Sequence, residues 1–234
     1  MQYAIITGAT QGIGRAVAEK LLAEGFSVAI CARTKADLDQ LNEEWSNKYK
    51  GSQVLTYTAD MGNKDEVIAF AAYVLQQFPK IDILVNNAGL FFPGKLADEE
   101  EGHLETLMRV NMFSAYHITR SVLPAMKKAQ SGHIFNMCSV ASLKAYPNGG
   151  SYGITKYALL GFSENLRDEL MPDNIKVTAI CPGATYTNSW KGVNVPEERF
   201  MRSEDIADTL WSAYVLSAGA VIETIVMRPL KGDL

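Results

Sequence analysis

The segment Ile5-Ile6-Thr7-Gly8-Ala9-Thr10-Gln11-Gly12-Ile13-Gly14 is an apolar run that breaks at glycines, then resumes in Arg15 to Leu22 with apolar residues three and four apart. The first run reads as a buried strand and the second as an amphipathic helix. Glycines at 8, 12 and 14 in the turn between them let backbone approach a diphosphate, whose negative charge the helix N-terminus favours. The spacing is not Gly-x-Gly-x-x-Gly, so the turn is a variant of the familiar nucleotide-binding one.

The alternation repeats along the chain. Strands are expected at about 2–6, 27–31, 53–58, 81–85, 132–138, 175–180 and 221–227, with helices at about 12–24, 34–48, 63–77, 103–128, 151–170 and 203–217. Gly25 is placed to end the first helix and Ser203 to cap the last. Short strands alternating with longer helices specify repeated βα units. The expected fold is therefore α/β: a Rossmann-type, doubly wound, seven-stranded and mainly parallel sheet flanked by helices, in one domain over 1–234.

Composition narrows the function. At 234 residues and 47% hydrophobic the chain can bury one large core. A net charge of −4 and scattered basic residues give no general attraction to nucleic acid or anionic membranes. The N-terminus enters a strand with no basic leader, and the longest apolar stretch, Val67 to Leu75, is far shorter than a membrane span. A soluble, cytoplasmic protein is expected. Cys31, Cys138 and Cys181 form an odd set with no close pair, which favours reduced thiols. His103, His117 and His133 match no ligand spacing, and no metal is expected.

In doubly wound sheets ligands bind past the carboxyl ends of the strands. Gly8, Arg33, Asp60, Asn87, Ser139 and Pro182 each follow a different expected strand, so they gather on one edge. After the second strand the chain reads Ala29-Ile30-Cys31-Ala32-Arg33-Thr34-Lys35, with no acid before Asp37 to bind a ribose 2′-hydroxyl. Arg33 is instead placed for a 2′-phosphate, which a guanidinium grips well. Tyr152 and Lys156 stand four apart, on one face of a helix. A phenol titrates near 10, about 4 kcal/mol from usefulness at neutral pH. One ammonium about 4 Å away, at an effective dielectric of about 20, supplies that much. Ser139 ends the fifth strand with a hydroxyl able to orient a carbonyl oxygen, and no Gly-x-Ser-x-Gly elbow makes it a nucleophile. Asn111 lies inside a long helix, where asparagine is a poor former, a misfit of the kind found at functional sites.

Taken in order, Thr7-Gly8-x-x-x-Gly12-Ile13-Gly14, Asp60, Asn86-Asn87-Ala88-Gly89, Asn111, Ser139, Tyr152-x-x-x-Lys156 and Pro182-Gly183-x-x-x-Thr187 make the chain resemble the short-chain dehydrogenase/reductase family, from the first strand to about Thr187. The resemblance implies an NADP(H)-dependent oxidoreductase that reduces a ketone or aldehyde, or runs in reverse. It implies that Thr10, Gln11, Gly12 and Ile13 lie along the adenosine ribose and diphosphate, that Asp60 and Met61 meet the adenine, and that Asn87, Ala88 and Gly89 admit the cofactor. Pro182, Gly183, Thr185 and Thr187 would contact its nicotinamide end. Tyr152 would be the acid/base, Ser139 its partner at the carbonyl oxygen, Lys156 the cation that lowers the phenol and holds the nicotinamide ribose, and Asn111 part of the proton path. Residues 186–202 would form a short substrate lid, with Trp190, Phe200, Met201, Phe91, Phe92 and Tyr146 around an apolar pocket.

Among members, the pattern is similar to 3-oxoacyl-carrier-protein reductases, sepiapterin-type reductases and hydroxy-acid or sugar-alcohol dehydrogenases, and Ile225 to Pro229 departs from the glycine-rich ending of the first, which sets it nearer the 3-hydroxy-acid dehydrogenases. Homodimers or homotetramers are implied, through the helices carrying Met112, Phe113, Leu159 and Phe162. A nucleotide-binding sensor without turnover is the other class the fold allows. The complete set Asn111, Ser139, Tyr152 and Lys156 argues for the enzyme.

Overall fold

The computed structural model describes residues 1–187, 192 and 194–234. Seven strands, β1 (Gln2–Thr7), β2 (Phe26–Ala32), β3 (Val54–Thr58), β4 (Ile83–Asn86), β5 (Gly132–Met137), β6 (Ile175–Pro182) and β7 (Thr224–Met227), form one sheet in the order β3-β2-β1-β4-β5-β6-β7. Every neighbouring pair is parallel, so the sheet is wholly rather than mainly parallel. The strand order reverses direction between β1 and β4, which opens a crevice there.

Side chains alternate across a strand, and here both faces are apolar. On one face Ala4, Ile6, Val28 and Ile30 pack with Val17 and Leu21 of α1 (Gly12–Ala23), Leu38 and Trp45 of α2 (Lys35–Lys48) and Ile206 and Leu210 of α7 (Ser203–Tyr214). On the other, Ile5, Ala29 and Leu84 meet Phe70 and Val74 of α3 (Lys64–Gln77), Ile118 and Val122 of α5 (Ser114–Ala129) and Leu166 of α6 (Gly150–Leu170). Each large side chain so buried contributes about 1.5–3 kcal/mol.

The expected ends of elements shift where side chains compete for backbone. The expected helix 103–128 is one helical run, α4 (His103–Met108), a π-turn over Arg109–Phe113 and α5, so Asn111 sits in the π-turn. Ser203 is not the cap of α7. It is the first helical residue, its hydroxyl reaches Tyr186 O at 3.4 Å, and Asp205 closes the turn on Arg202 N at 2.9 Å. The same helix stops at Tyr214 rather than 217, and the Leu216 and Ser217 carbonyls just past its end accept from Lys176. Gly25 ends α1 with φ of +84°, as expected. Of the apolar residues expected to face a second subunit, Leu159 is internal, Met112 and Phe162 are half-covered, and Phe113 is exposed together with Ile154 and Tyr157. Among the described residues no helix is long and apolar enough to cross a membrane. All three cysteines are free and buried, and burial pushes the Cys31 thiol up to about 12.

At the opposite edge of the sheet from the crevice, His133 is buried against Phe135. Thr178 spends its proton on Ile222 O (2.6 Å), so the 2.7 Å contact with His133 requires Nε2 to be the donor. Nδ1 is left as a buried lone pair with no partner among the described residues. Burial first, and the Lys176 charge second, lower its pKa to about 3. Above the ordinary value of about 6.5 the ring is neutral in both states. Below it the unfolded chain takes up a proton that the folded ring refuses. Stability therefore falls with pH at about 1.4 kcal/mol per unit, down to about pH 3. Between pH 7 and pH 5 the parent should lose about 2 kcal/mol more unfolding free energy than His133→Asn. Urea titrations at both pH values check this, and parallel losses in the two proteins would refute it.

Candidate active site

The crevice is built on two chain reversals joined by hydrogen bonds. Thr7, the last residue of β1, accepts from Asn87 N and Ala88 N, both at 3.0 Å, and donates to Val85 O at 3.4 Å. Asn87 returns the contact, its Nδ2 donating to Thr7 O (3.0 Å) and Gly8 O (2.9 Å). The approach is so close that a Cβ on Gly14 would overlap Gly8 O and Asn87 Nδ2, and one on Gly8 would lie 2.9 Å from Ala88 Cα. Thr10, Gln11, Gly12 and Ile13 form the turn and the first residues of α1. That helix has no acidic residue in its first turn, so its positive end faces the crevice uncompensated. Thr187 lies over this turn, its Cγ2 3.0 Å from where a Gly12 Cβ would stand.

At the end of β2, Arg33 is exposed and, among the described residues, makes no ion pair. The neighbouring cations are engaged: Lys35 with Asp39 at 2.6 Å, and Arg15 with Glu19 and Glu44, both at 2.7 Å. Asp60 follows β3 and accepts from Gly62 N at 2.8 Å. It does not cap α3, since Asn63 does so by accepting from Asp65 N at 3.0 Å. Met61 is buried, and its sulfur is 3.4 Å from Cys31 Sγ. It lines a cavity of about 400 Å³ with Lys64, Arg109, Phe113 and His117.

At the other end stand Ser139, Tyr152, Lys156 and Asn111. Ser139 follows β5 and starts a short 3-10 turn (Val140–Ser142), its Oγ accepting from Ala141 N at 3.1 Å. Tyr152 and Lys156 lie a turn apart on α6, and the Ser139 hydroxyl is near enough to the Tyr152 phenol to favour its ionised form. Asn111 Oδ1 accepts from Leu90 N (2.7 Å), while Nδ2 donates to Leu90 O (2.9 Å) and Thr155 Oγ1 (3.0 Å). A Cβ on Gly89 would stand 3.5 Å from Asn111 Oδ1 and 3.7 Å from Lys156 Nζ, which brings the end of β4, the π-turn and α6 together. π-turns of this kind recur at functional sites because the extra residue re-aims a side chain.

The electrostatics differ from the expected arrangement. Burial, the largest cause, pushes the Tyr152 phenol up to about 12, and the Ser139 bond works against it. Lys156 is 5.6 Å from the ring centroid, with Nζ donating to Met137 O at 2.8 Å. Burial lowers the lysine itself. The ammonium is thus committed to a carbonyl and the phenol is held protonated.

Two residues of the expected pocket are corrected. Phe200 and Met201 are buried, Met201 within the main core, because Met201 N and O pair with Ala184 O (3.0 Å) and Tyr186 N (2.8 Å). Phe92 is half-buried against His103 at 5.1 Å. Phe91 and Tyr146 remain exposed, Phe91 edge-on to the Tyr152 ring at 4.9 Å. Trp190 lies outside the described residues. Gly183 N donates to Met227 O (2.7 Å) and Thr185 Oγ1 to Gly183 O (3.1 Å), fixing the segment after Pro182 over the crevice side of β6. Sequence reasoning missed Thr155 and the Met137 carbonyl. Only the helical offset of Thr155 from Tyr152 hinted at the first.

Comparison with known proteins gives one answer. The family model for short chain dehydrogenase matches residues 2–198. A sepiapterin reductase of Chlorobaculum tepidum is 32% identical, covering 98% of this chain and 97% of its own. An alcohol dehydrogenase from Thermococcus sibiricus, solved with 5-hydroxy-NADP, superposes with a TM-score of 0.90 at 26% identity, covering 98% of this chain and 97% of its own. The L-sorbose reductase of Gluconobacter frateurii, solved with NADPH and L-sorbose, gives 0.89 at 26% identity, with 97% and 95% covered.

Proposed function

The chain belongs to the short-chain dehydrogenase/reductase family of oxidoreductases, and from that premise we propose that it reduces a ketone or aldehyde with NADPH, or runs the reverse oxidation, using Tyr152 as the acid/base. The observation that carries this reading is the half-buried Tyr152 side chain, one turn before Lys156 on α6 and edge-on to Phe91, with the Ser139 hydroxyl beside its phenol.

The residues suit the cofactor. The glycine turn packs backbone against the end of β4 with no room for a Cβ at position 8 or 14, and the helix it opens has no acidic residue in its first turn. Arg33 is a cation without an acidic partner among the described residues, at the end of β2. From β2 to β5 is three strand spacings, about 14 Å, which a dinucleotide laid across the switch point spans. In this reading Gly8, Thr10, Gln11, Gly12 and Ile13 hold the diphosphate and adenosine, Arg33 the 2′-phosphate, and Asp60 and Met61 the adenine. Asn87, Ala88 and Gly89 make room beside it, with Pro182, Gly183, Thr185 and Thr187 at the nicotinamide end. When bound, the cofactor supplies the hydride and the protein positions it.

The protein's own part is to handle charge on the carbonyl oxygen. Ser139 and Tyr152 donate to that oxygen, and as it gains negative charge the Tyr152 proton crosses to it. Burial makes both donors worth more than in water. The Lys156 ammonium then stabilises the phenolate left behind, and Asn111 with Thr155 holds the adjoining backbone in place. In oxidation the same groups work in reverse.

Arg33 should give NADPH roughly ten- to hundredfold tighter binding than NADH, the value of one charge-assisted contact. Arg33→Asp should remove or reverse that preference in fluorescence titrations, and equal affinities in the parent would refute the assignment. Tyr152→Phe deletes the proton donor and keeps the ring. NADPH affinity should persist while carbonyl-dependent NADPH oxidation falls about a hundred- to ten-thousandfold. Parental turnover in that variant would remove Tyr152 from the chemistry.

A further inference from the structure

Tyr152 is the third residue of α6, so its place depends on how that helix begins. The start is weak in local terms: Gly149 and Gly150 precede the tyrosine, no side chain of the N-cap bonds the first turn, and the first turn has no acidic residue. The missing partner comes from elsewhere. Glu99, 52 residues earlier, accepts from Ser151 N at 2.7 Å, and its other oxygen accepts from the Ser151 hydroxyl. The same junction is closed by Gly94 N donating to Asn148 O at 3.1 Å and by Phe91 standing against the Tyr152 ring at 4.9 Å. Gly150 has φ of +41°, and a Cβ there would overlap Glu99 Oε1 and lie 2.7 Å from Gly94 O. The two Ser151 bonds hold the Glu99 carboxyl below its ordinary range.

We propose that Glu99 is a positioning residue for Tyr152: its carboxylate, brought in by the segment after β4, fixes the first turn of α6 and so the distance from the phenol to the carbonyl oxygen. The assignment rests on Tyr152 being the acid. Asp98-Glu99-Glu100-Glu101 otherwise reads as a solvated acidic run, and only Glu99 of the four turns inward. Misplacement of a reacting group by about 1 Å can cost about a hundredfold in rate. A carboxylate that merely stabilised the fold would leave the turnover of folded protein untouched.

The test compares parent, Glu99→Ala, Glu99→Gln and Tyr152→Phe on one carbonyl compound that the parent reduces, well below each melting temperature. Glu99→Ala should lower kcat ten- to hundredfold while the NADPH dissociation constant stays within about twofold. Glu99→Gln keeps an acceptor for Ser151 N and should restore kcat to within about threefold of the parent. Parental kcat in folded Glu99→Ala would overturn the proposal, as would equal losses in the Ala and Gln variants. If Glu99→Ala does not fold, Ser151→Ala must show a loss in kcat of threefold or more without a change in NADPH affinity, and parental kcat there overturns it equally. Tyr152→Phe separates the two ideas. If it turns over like the parent, the acid assignment fails; if it is inactive while Glu99→Ala is parental, only the positioning role fails.

Discussion

Everything at the crevice depends on Thr7 and Asn87 tying the end of β1 to the end of β4. A parallel sheet that reverses its strand order leaves two chain reversals diverging from adjacent strands, with backbone groups that no ladder satisfies. Here one hydroxyl and one carboxamide satisfy five of those contacts. The same bonds draw the two loops into contact, and that closeness is why position 14 has no room for a side chain. A wall of backbone with an open helix end above it is the result. The polar residues of β2, β3, β5 and β6 are then arrayed on either side at fixed strand intervals.

The reacting end is governed by a second constraint, desolvation. Burial raises the Tyr152 phenol and lowers the Lys156 ammonium, so each is pushed toward its neutral form. A phenol near 12 is loaded with its proton at rest, the state that the proposed carbonyl reduction requires of it. The simple expectation of a lysine pulling the phenol toward neutrality took account of Coulomb attraction alone. It missed that Met137 O competes for the ammonium and that burial opposes the charged form of both groups.

How much of this was legible in the sequence follows from the range of each interaction. Strands, helices and the meeting of Gly8, Arg33, Asp60, Asn87, Ser139 and Pro182 on one edge were readable, because local periodicity fixes elements and parallel connectivity fixes which end faces the ligand. Ends of elements were less so. The start of α7 depends on Asp205 closing on Arg202 N, and the chain just past its end is held by Lys176 from another element. The π-turn at Asn111 registered only as a misfit, since its partners Leu90 and Thr155 are 21 and 44 residues away. Phe200 and Met201 looked like pocket residues because an aromatic near a loop has the same composition whether it faces ligand or core. Glu99 gave no signal, as nothing in Asp-Glu-Glu-Glu marks the one that turns inward.

The central claim is that a carbonyl carbon receives hydrogen from the nicotinamide while Tyr152 supplies the second hydrogen to oxygen. Reduction of a carbonyl compound with NADPH deuterated at the transferring position of its nicotinamide, followed by mass spectrometry of the alcohol, tests it most directly. One deuterium fixed on the carbinol carbon, with slower turnover than with unlabelled NADPH when hydride transfer limits the rate, is the predicted result. An alcohol without deuterium, or no reduction across a broad panel of ketones and aldehydes, would contradict it.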